Sequence, residues 1–62
     1  MKLNQFLKIK SLVSTGGQAK QMINSGLISV NGIVETRRGR QLRQGDRVSF
    51  EHEDYIVSHA DI

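Results

Sequence analysis

The sequence predicts an α+β fold, two helices packed on a small, bent antiparallel sheet, and three observations carry that prediction. Apolar residues recur at helical spacing as far as residue 26 and alternate from residue 28 onward. Asn31-Gly32 stands between two short apolar runs, and Asn-Gly is the strongest two-residue hairpin signal, because a type I′ turn needs positive φ at both of its positions. There is no proline, no repeat and no low-complexity linker, so helices followed by strands make one domain over residues 1–62. A chain of 62 residues has no room for a second core.

Residues 3–10 predict the first helix, with Leu3, Phe6 and Leu7 on one face and Lys8 and Lys10 on others. Ser11-Leu12-Val13 connects it to a second helix that begins in Ser14-Thr15-Gly16-Gly17-Gln18. Thr15 and Gln18 have capping-box spacing, and Ser14 competes for the cap. Ala19, Met22 and Ile23 share a face, with Gly17, Lys20, Gln21 and Asn24 on the other side, and Gly26 is a natural left-handed residue at the C-terminal end. The strands follow: Ile28–Val30, Ile33-Val34, then Arg47–Glu51 after a turn at Gln44-Gly45-Asp46. A turn is expected at His52-Glu53-Asp54 and a last strand at Tyr55-Ile56-Val57.

The segment between the second and third strands points towards function. Residues 37–43 hold four arginines, Arg37, Arg38, Arg40 and Arg43, and a single long apolar side chain, Leu42. Such a loop is expected to lie outside the core as a dense cationic surface. A guanidinium fork offers two parallel hydrogen bonds to one phosphate, which makes arginine the residue suited to that anion. The competing structural role is surface pairing with Glu35, Asp46 or Glu51, with Arg43 or Arg47 expected to be so engaged. A second cationic feature is the start of the second helix. Ser14 to Gly17 present hydroxyls and backbone N–H groups at the positive end of a helix dipole, and Lys20 adds a charge one turn on. The competing role is ordinary capping, with the glycines allowing close packing.

Net charge is +3, but it is unevenly placed. All nine Lys and Arg lie in residues 1–47 against Glu35 and Asp46, a balance of +7, whereas residues 48–62 hold four acids and no Lys or Arg, a balance of −4. One end of the chain is thus attractive to polyanions. The chain has no cysteine, which excludes disulfides and cysteine–zinc sites and fits a reducing cytoplasm. No apolar run approaches a membrane span and no signal-peptide pattern opens the chain, so a soluble cytoplasmic protein is expected. His52 and His59 lie on different elements and do not form a metal site. Glu53 and Asp54 are neighbours in a turn, and no catalytic constellation is present, so no enzyme, cofactor or small-molecule substrate is expected. Helix two carries glycines where a DNA recognition helix would carry base-reading side chains. With so few aromatics, Phe50 and Tyr55 are expected in or beside the core.

Taken together, Leu3-Asn4-Gln5-Phe6-Leu7-Lys8, Ser14-Thr15-Gly16-Gly17-Gln18-Ala19-Lys20, Ile23-x-x-Gly26-x-Ile28-x-Val30-Asn31-Gly32 and Glu35-Thr36-Arg37-Arg38-Gly39-Arg40-x-Leu42-x-x-Gly45-Asp46 resemble the S-four RNA-binding domain. That family is named for the fourth protein of the small ribosomal subunit. The likeness covers roughly residues 3–51 and is nearest to the small stand-alone bacterial members. It implies two helices on a bent antiparallel sheet and an RNA face made of the helices and the adjoining loop. Carried over position by position, it implicates Lys8, Lys10, Thr15, Gln18, Lys20, Gln21, Arg37, Arg38 and Arg40 in RNA contact; Arg43 joins them from the loop composition. Two departures stand out. Many members have arginines after the N-cap serine, where this chain has Thr15, Gly16 and Gly17. A glycine that ends the first helix is replaced by Ser11. The resemblance implies a non-enzymatic protein that binds structured RNA, with ribosomal RNA or ribosomal particles favoured. The rival reading is a protein-interaction adaptor whose basic face docks an acidic partner and whose Val48–Tyr55 edge offers a strand for pairing.

Overall fold

The computed structural model describes residues 1–61; the expected domain range ends on Ile62, which lies outside them. Two helices, α1 (Leu3–Ile9) and α2 (Gly16–Asn24), precede four strands, β1 (Ser29–Val30), β2 (Ile33–Val34), β3 (Arg47–Phe50) and β4 (Glu53–Ile56), and a 3-10 turn at His59–Asp61. The sheet is antiparallel throughout, in the order β2-β1-β3-β4. The α+β architecture expected from the periodicities is the one observed.

One core joins helices and sheet. Leu3, Phe6 and Leu7 of α1 meet Ala19 and Ile23 of α2, and both groups meet Ile28, Val30, Val48 and Val57. Leu3, Phe6 and Leu7 lie inward as their helical spacing placed them; of the Ala19, Met22 and Ile23 face, Ala19 and Ile23 are buried, while Met22 is half-buried against the core. Phe50 and Tyr55 pack beside this core, as expected of them.

Both helices end in the same way. At the end of α2, Gly26 has φ +79° and its N–H donates to the Ile23 carbonyl, while the Leu27 N–H donates to that of Met22. This is the paired C-terminal bonding of a Schellman motif. At the end of α1 the Ser11 N–H donates to the Lys8 carbonyl and the Leu12 N–H to that of Leu7, with Ser11 at φ +61°. The serine that replaces the expected glycine therefore still adopts the left-handed conformation. At the start of α2, Thr15 rather than Ser14 is the N-cap: its hydroxyl oxygen accepts from the Gln18 N–H at 3.1 Å. Gln18 reaches one residue further back than a capping box would, and its side-chain oxygen accepts from the Ser14 N–H at 2.8 Å.

Two expectations need correction. The last hairpin turns at Glu51-His52, not at His52–Asp54, and β4 begins at Glu53. The register Phe50↔Glu53 leaves two residues for the turn, and both take positive φ without glycine. The arginine segment also does contribute to the core: Leu42 is only 4% exposed. Its backbone N–H donates to the Met1 carbonyl, and Lys2 pairs with Gln41 in an isolated antiparallel bridge, so the chain's first residues pin this stretch against α1.

Candidate nucleic-acid interface

The loop from Glu35 to Arg43 is held at its base, at its middle and by its own side chains. At the base, the Asn31 amide nitrogen donates to Asp46 at 3.1 Å and the Arg47 N–H donates to the Asn31 side-chain oxygen at 2.9 Å. The other Asp46 oxygen accepts from the Arg43 N–H at 2.8 Å. That bond, followed by the one from Asn31, holds the Asp46 carboxyl below its ordinary range. The Asn31-Gly32 turn and the Gly45-Asp46 turn are thus tied to each other, which closes the loop between them. In the middle, the Leu3 N–H donates to the Arg40 carbonyl at 2.8 Å and the Asn4 N–H to the Arg38 carbonyl at 3.1 Å. Helix α1 has Lys2 at its N-cap, a residue that cannot accept a bond from the free first-turn N–H groups. The loop carbonyls meet that need, and in doing so they dock the arginines on the helix.

The side chains divide into two groups. Arg37 grips Glu35 with both arms of its fork, Nε to Oε2 at 2.9 Å and Nη2 to Oε1 at 3.1 Å. Arg40 Nη1 donates to the same Oε1 at 2.7 Å, and the Arg37 backbone N–H adds a bond to Oε2 at 3.1 Å. Glu35 is 6% exposed and is the one buried charged residue among the described residues. The Arg37 bonds, then those of Arg40, lower its pKa to about 2, against a smaller opposing effect of burial. These pairs correct the expectation that Arg43 or Arg47 would be the engaged arginine: Glu35 follows β2 at the start of the loop, within reach of the side chains two and five residues on. Arg37 nonetheless keeps 74% of its side chain in solvent and Arg40 33%. Arg38, Arg43 and Arg47 make no ion pair among the described residues.

The helical candidates also divide. Lys8, Lys20 and Gln21 are exposed, and neither lysine makes an ion pair among the described residues. Lys10 is engaged twice, with Asp61 at 3.3 Å and over the Phe6 ring at 5.6 Å from its centroid. Thr15 and Gln18 spend their oxygens on the cap of α2, leaving the Thr15 hydroxyl proton unassigned. Gly16 and Gly17 face open space, with no neighbour other than Thr15 within 4 Å of an added Cβ, so close packing does not account for them. Lys2 was not singled out by sequence reasoning. Its signal lay in the bridge to Gln41, which sets it beside the arginine loop and which no local pattern announces.

Comparison with known proteins gives the chain a family. The model of the S4 domain matches residues 1–58. The chain belongs to the S4 domain family. Among curated relatives of this S4 domain, "Probable ribosome maturation protein RlbA" of Bacillus subtilis is 41% identical over 49 residues, which cover 79% of this chain and 69% of the relative. "Putative RNA-binding protein YbcJ" of Escherichia coli is 38% identical over 50 residues, covering 81% of this chain and 71% of the relative. Among solved structures, a crystal structure of a pseudouridylate synthase superposes with a TM-score of 0.81 at 25% identity. The match covers 90% of this chain and 24% of the synthase. The S4 domain here therefore corresponds to about a quarter of that enzyme's length. No helix among the described residues is long and apolar enough to cross a membrane.

Proposed function

We propose that this chain is a non-enzymatic RNA-binding module that recognises structured RNA by backbone shape and charge. Ribosomal RNA, met during subunit maturation, is the favoured target. The observation that carries the reading is the arginine loop, docked on α1 through the Arg38 and Arg40 carbonyls while Arg38 and Arg43 stay without an ion-pair partner among the described residues. A fixed backbone with unengaged guanidiniums is suited to a phosphate track, because the contacts position the protein on the RNA without reading bases. Lys8, Lys20, Gln21 and the N-terminal end of α2, with the Thr15 hydroxyl, extend the face. Lys10 and Gln18 contribute less than the resemblance implied, since Lys10 is paired with Asp61 and the Gln18 side-chain oxygen is taken by the Ser14 N–H, and Thr15 has only its hydroxyl proton to offer. The family membership and the names of the two relatives support RNA as the partner class.

The adaptor reading is less favoured, because Val48 lies on a strand paired on both sides and only β4 offers that edge. A pull-down from cell extract, with and without ribonuclease, separates the two. Loss of partners with the RNA is the expected result. Retention of the same protein partners after digestion overturns the RNA reading.

A further inference from the structure

A carboxylate inside a phosphate-binding loop weakens the loop's attraction unless it does something else. Glu35 is such a carboxylate, and its surroundings show what it does. It is buried, and it takes three donors from Arg37 and one from Arg40. Each arginine spends only part of its fork. An arginine has five N–H donors; Arg37 commits two of them and Arg40 one to Glu35, leaving Arg37 Nη1 and Arg40 Nε and Nη2 without an acceptor among the described residues. The group as a whole carries a balance of +1, so it remains attractive to an anion. The backbone at Arg40 is fixed separately, by its carbonyl at the start of α1. The Arg40 side chain is thus anchored at both its root and its tip.

We propose that Glu35 is a positioning residue: it holds the Arg37 and Arg40 guanidiniums side by side, with their remaining N–H groups presented together to one RNA phosphate. This rests on the RNA-binding reading above. Fixing a long side chain at the moment of binding costs conformational entropy, and a side chain already fixed in the free protein avoids that cost. Simple charge counting and pre-positioning make opposite predictions here. Removing a negative charge beside a polyanion site should strengthen binding by electrostatics alone. Removing the group that orients two arginines should weaken it.

The test is Glu35→Gln in the whole chain, a substitution that keeps the volume and removes the charge. Binding to a ribosomal RNA hairpin is measured by mobility shift at fixed salt, at a temperature where circular dichroism shows the variant folded. The expected result is a loss of about fivefold or more, although the net charge rises by one. The same substitution in an Arg37→Gln/Arg40→Gln background is expected to change nothing further. Binding of Glu35→Gln equal to or tighter than the original chain overturns the inference, as does an undiminished loss in the double-arginine background, which would mark a role in folding only. Should Glu35→Gln fail to fold, the unsubstituted chain still decides. The Arg37 Nε–Hε and Arg40 Nη1–Hη resonances, whose protons are donated to Glu35, are expected to be resolved and slowly exchanging in the free protein, unlike the corresponding resonances of Arg38 and Arg43, and to shift when the hairpin is added. Coincidence of all four overturns the proposal. If the unsubstituted chain does not bind the hairpin at all, the RNA-binding reading itself fails, an outcome distinct from binding that Glu35→Gln leaves intact.

Discussion

Glu35 is the residue at which sequence and structure differ most. Its position in a run of arginines suggested a surface partner for one of them; instead it is buried, and it holds two. Its pKa of about 2 against an ordinary 4.5 has a stability consequence with a definite sign. The folded form holds the proton more weakly than the unfolded form. The contribution is therefore complete above about pH 4.5 and is lost as the pH falls towards 2. The thermal midpoint of the chain is expected to exceed that of Glu35→Gln at pH 6, and the gap should close as the pH falls through that window. A gap that stays constant across it would contradict the assignment. Leu42 belongs to the same scale. Leu42→Ala removes a buried side chain from the one apolar anchor of the arginine segment and should cost about 2–4 kcal/mol, read by chemical unfolding. By contrast, Arg38→Ala, at an exposed unpaired site, should leave stability within about 0.5 kcal/mol of the original.

At the scale of elements, the helices and the first hairpin were legible because each carries a residue whose chemistry admits few alternatives. Gly26 ends α2 in the left-handed conformation, Asn31-Gly32 turns the hairpin, and the i, i+3, i+4 triplets lie inward. The last hairpin was misplaced for the converse reason. Glu51 and His52 adopt φ of 52° and 68°, a conformation neither residue type advertises, so His52-Glu53-Asp54 looked the better turn. The pairing register of β3 with β4 decided the matter, and register is a property of two strands, not of one segment. The docking of the loop on α1 was illegible for a similar reason. Nothing in Leu3-Asn4 shows that their amides bond to carbonyls more than 30 residues away; only the absence of a capping side chain at Lys2 hinted that acceptors had to come from elsewhere. Ser11 marks a place where the chain departs from the better solution. A serine held at φ +61° is strained relative to glycine, so Ser11→Gly should stabilise the domain by about 0.5–1 kcal/mol, seen as a higher denaturation midpoint at unchanged slope. An unchanged or lower midpoint would mean that the serine is not strained there.

At the scale of the molecule, the sequence divides into a basic part and an acidic part, but the fold does not keep them wholly apart. The 3-10 turn returns to α1, and Asp61 takes Lys10 as its partner. Ser58 holds that carboxylate, through its backbone N–H and its hydroxyl, and lowers its pKa, with Lys10 adding to the effect. The cations without an ion pair among the described residues are Lys2, Lys8, Lys20, Arg38, Arg43 and Arg47, while Arg37 and Arg40 share one negative charge. On the proposed RNA-binding reading, this set of cations is expected to neutralise about four or five phosphates rather than one for each basic residue, and the expected salt dependence follows from that number.

The most direct measurement is the affinity for a structured ribosomal RNA fragment as a function of salt, for the chain and for Arg38→Ala/Arg43→Ala. For the chain, log K should fall with log salt at about −0.7 per phosphate on single strands and somewhat more steeply on duplex. Loss of two phosphate contacts should flatten that slope by about 1.4–1.8 and weaken binding at low salt, with stability unchanged. An unaltered slope and affinity in the double variant would contradict the account, since it would show that the two loop arginines without an ion pair, Arg38 and Arg43, do not touch the RNA.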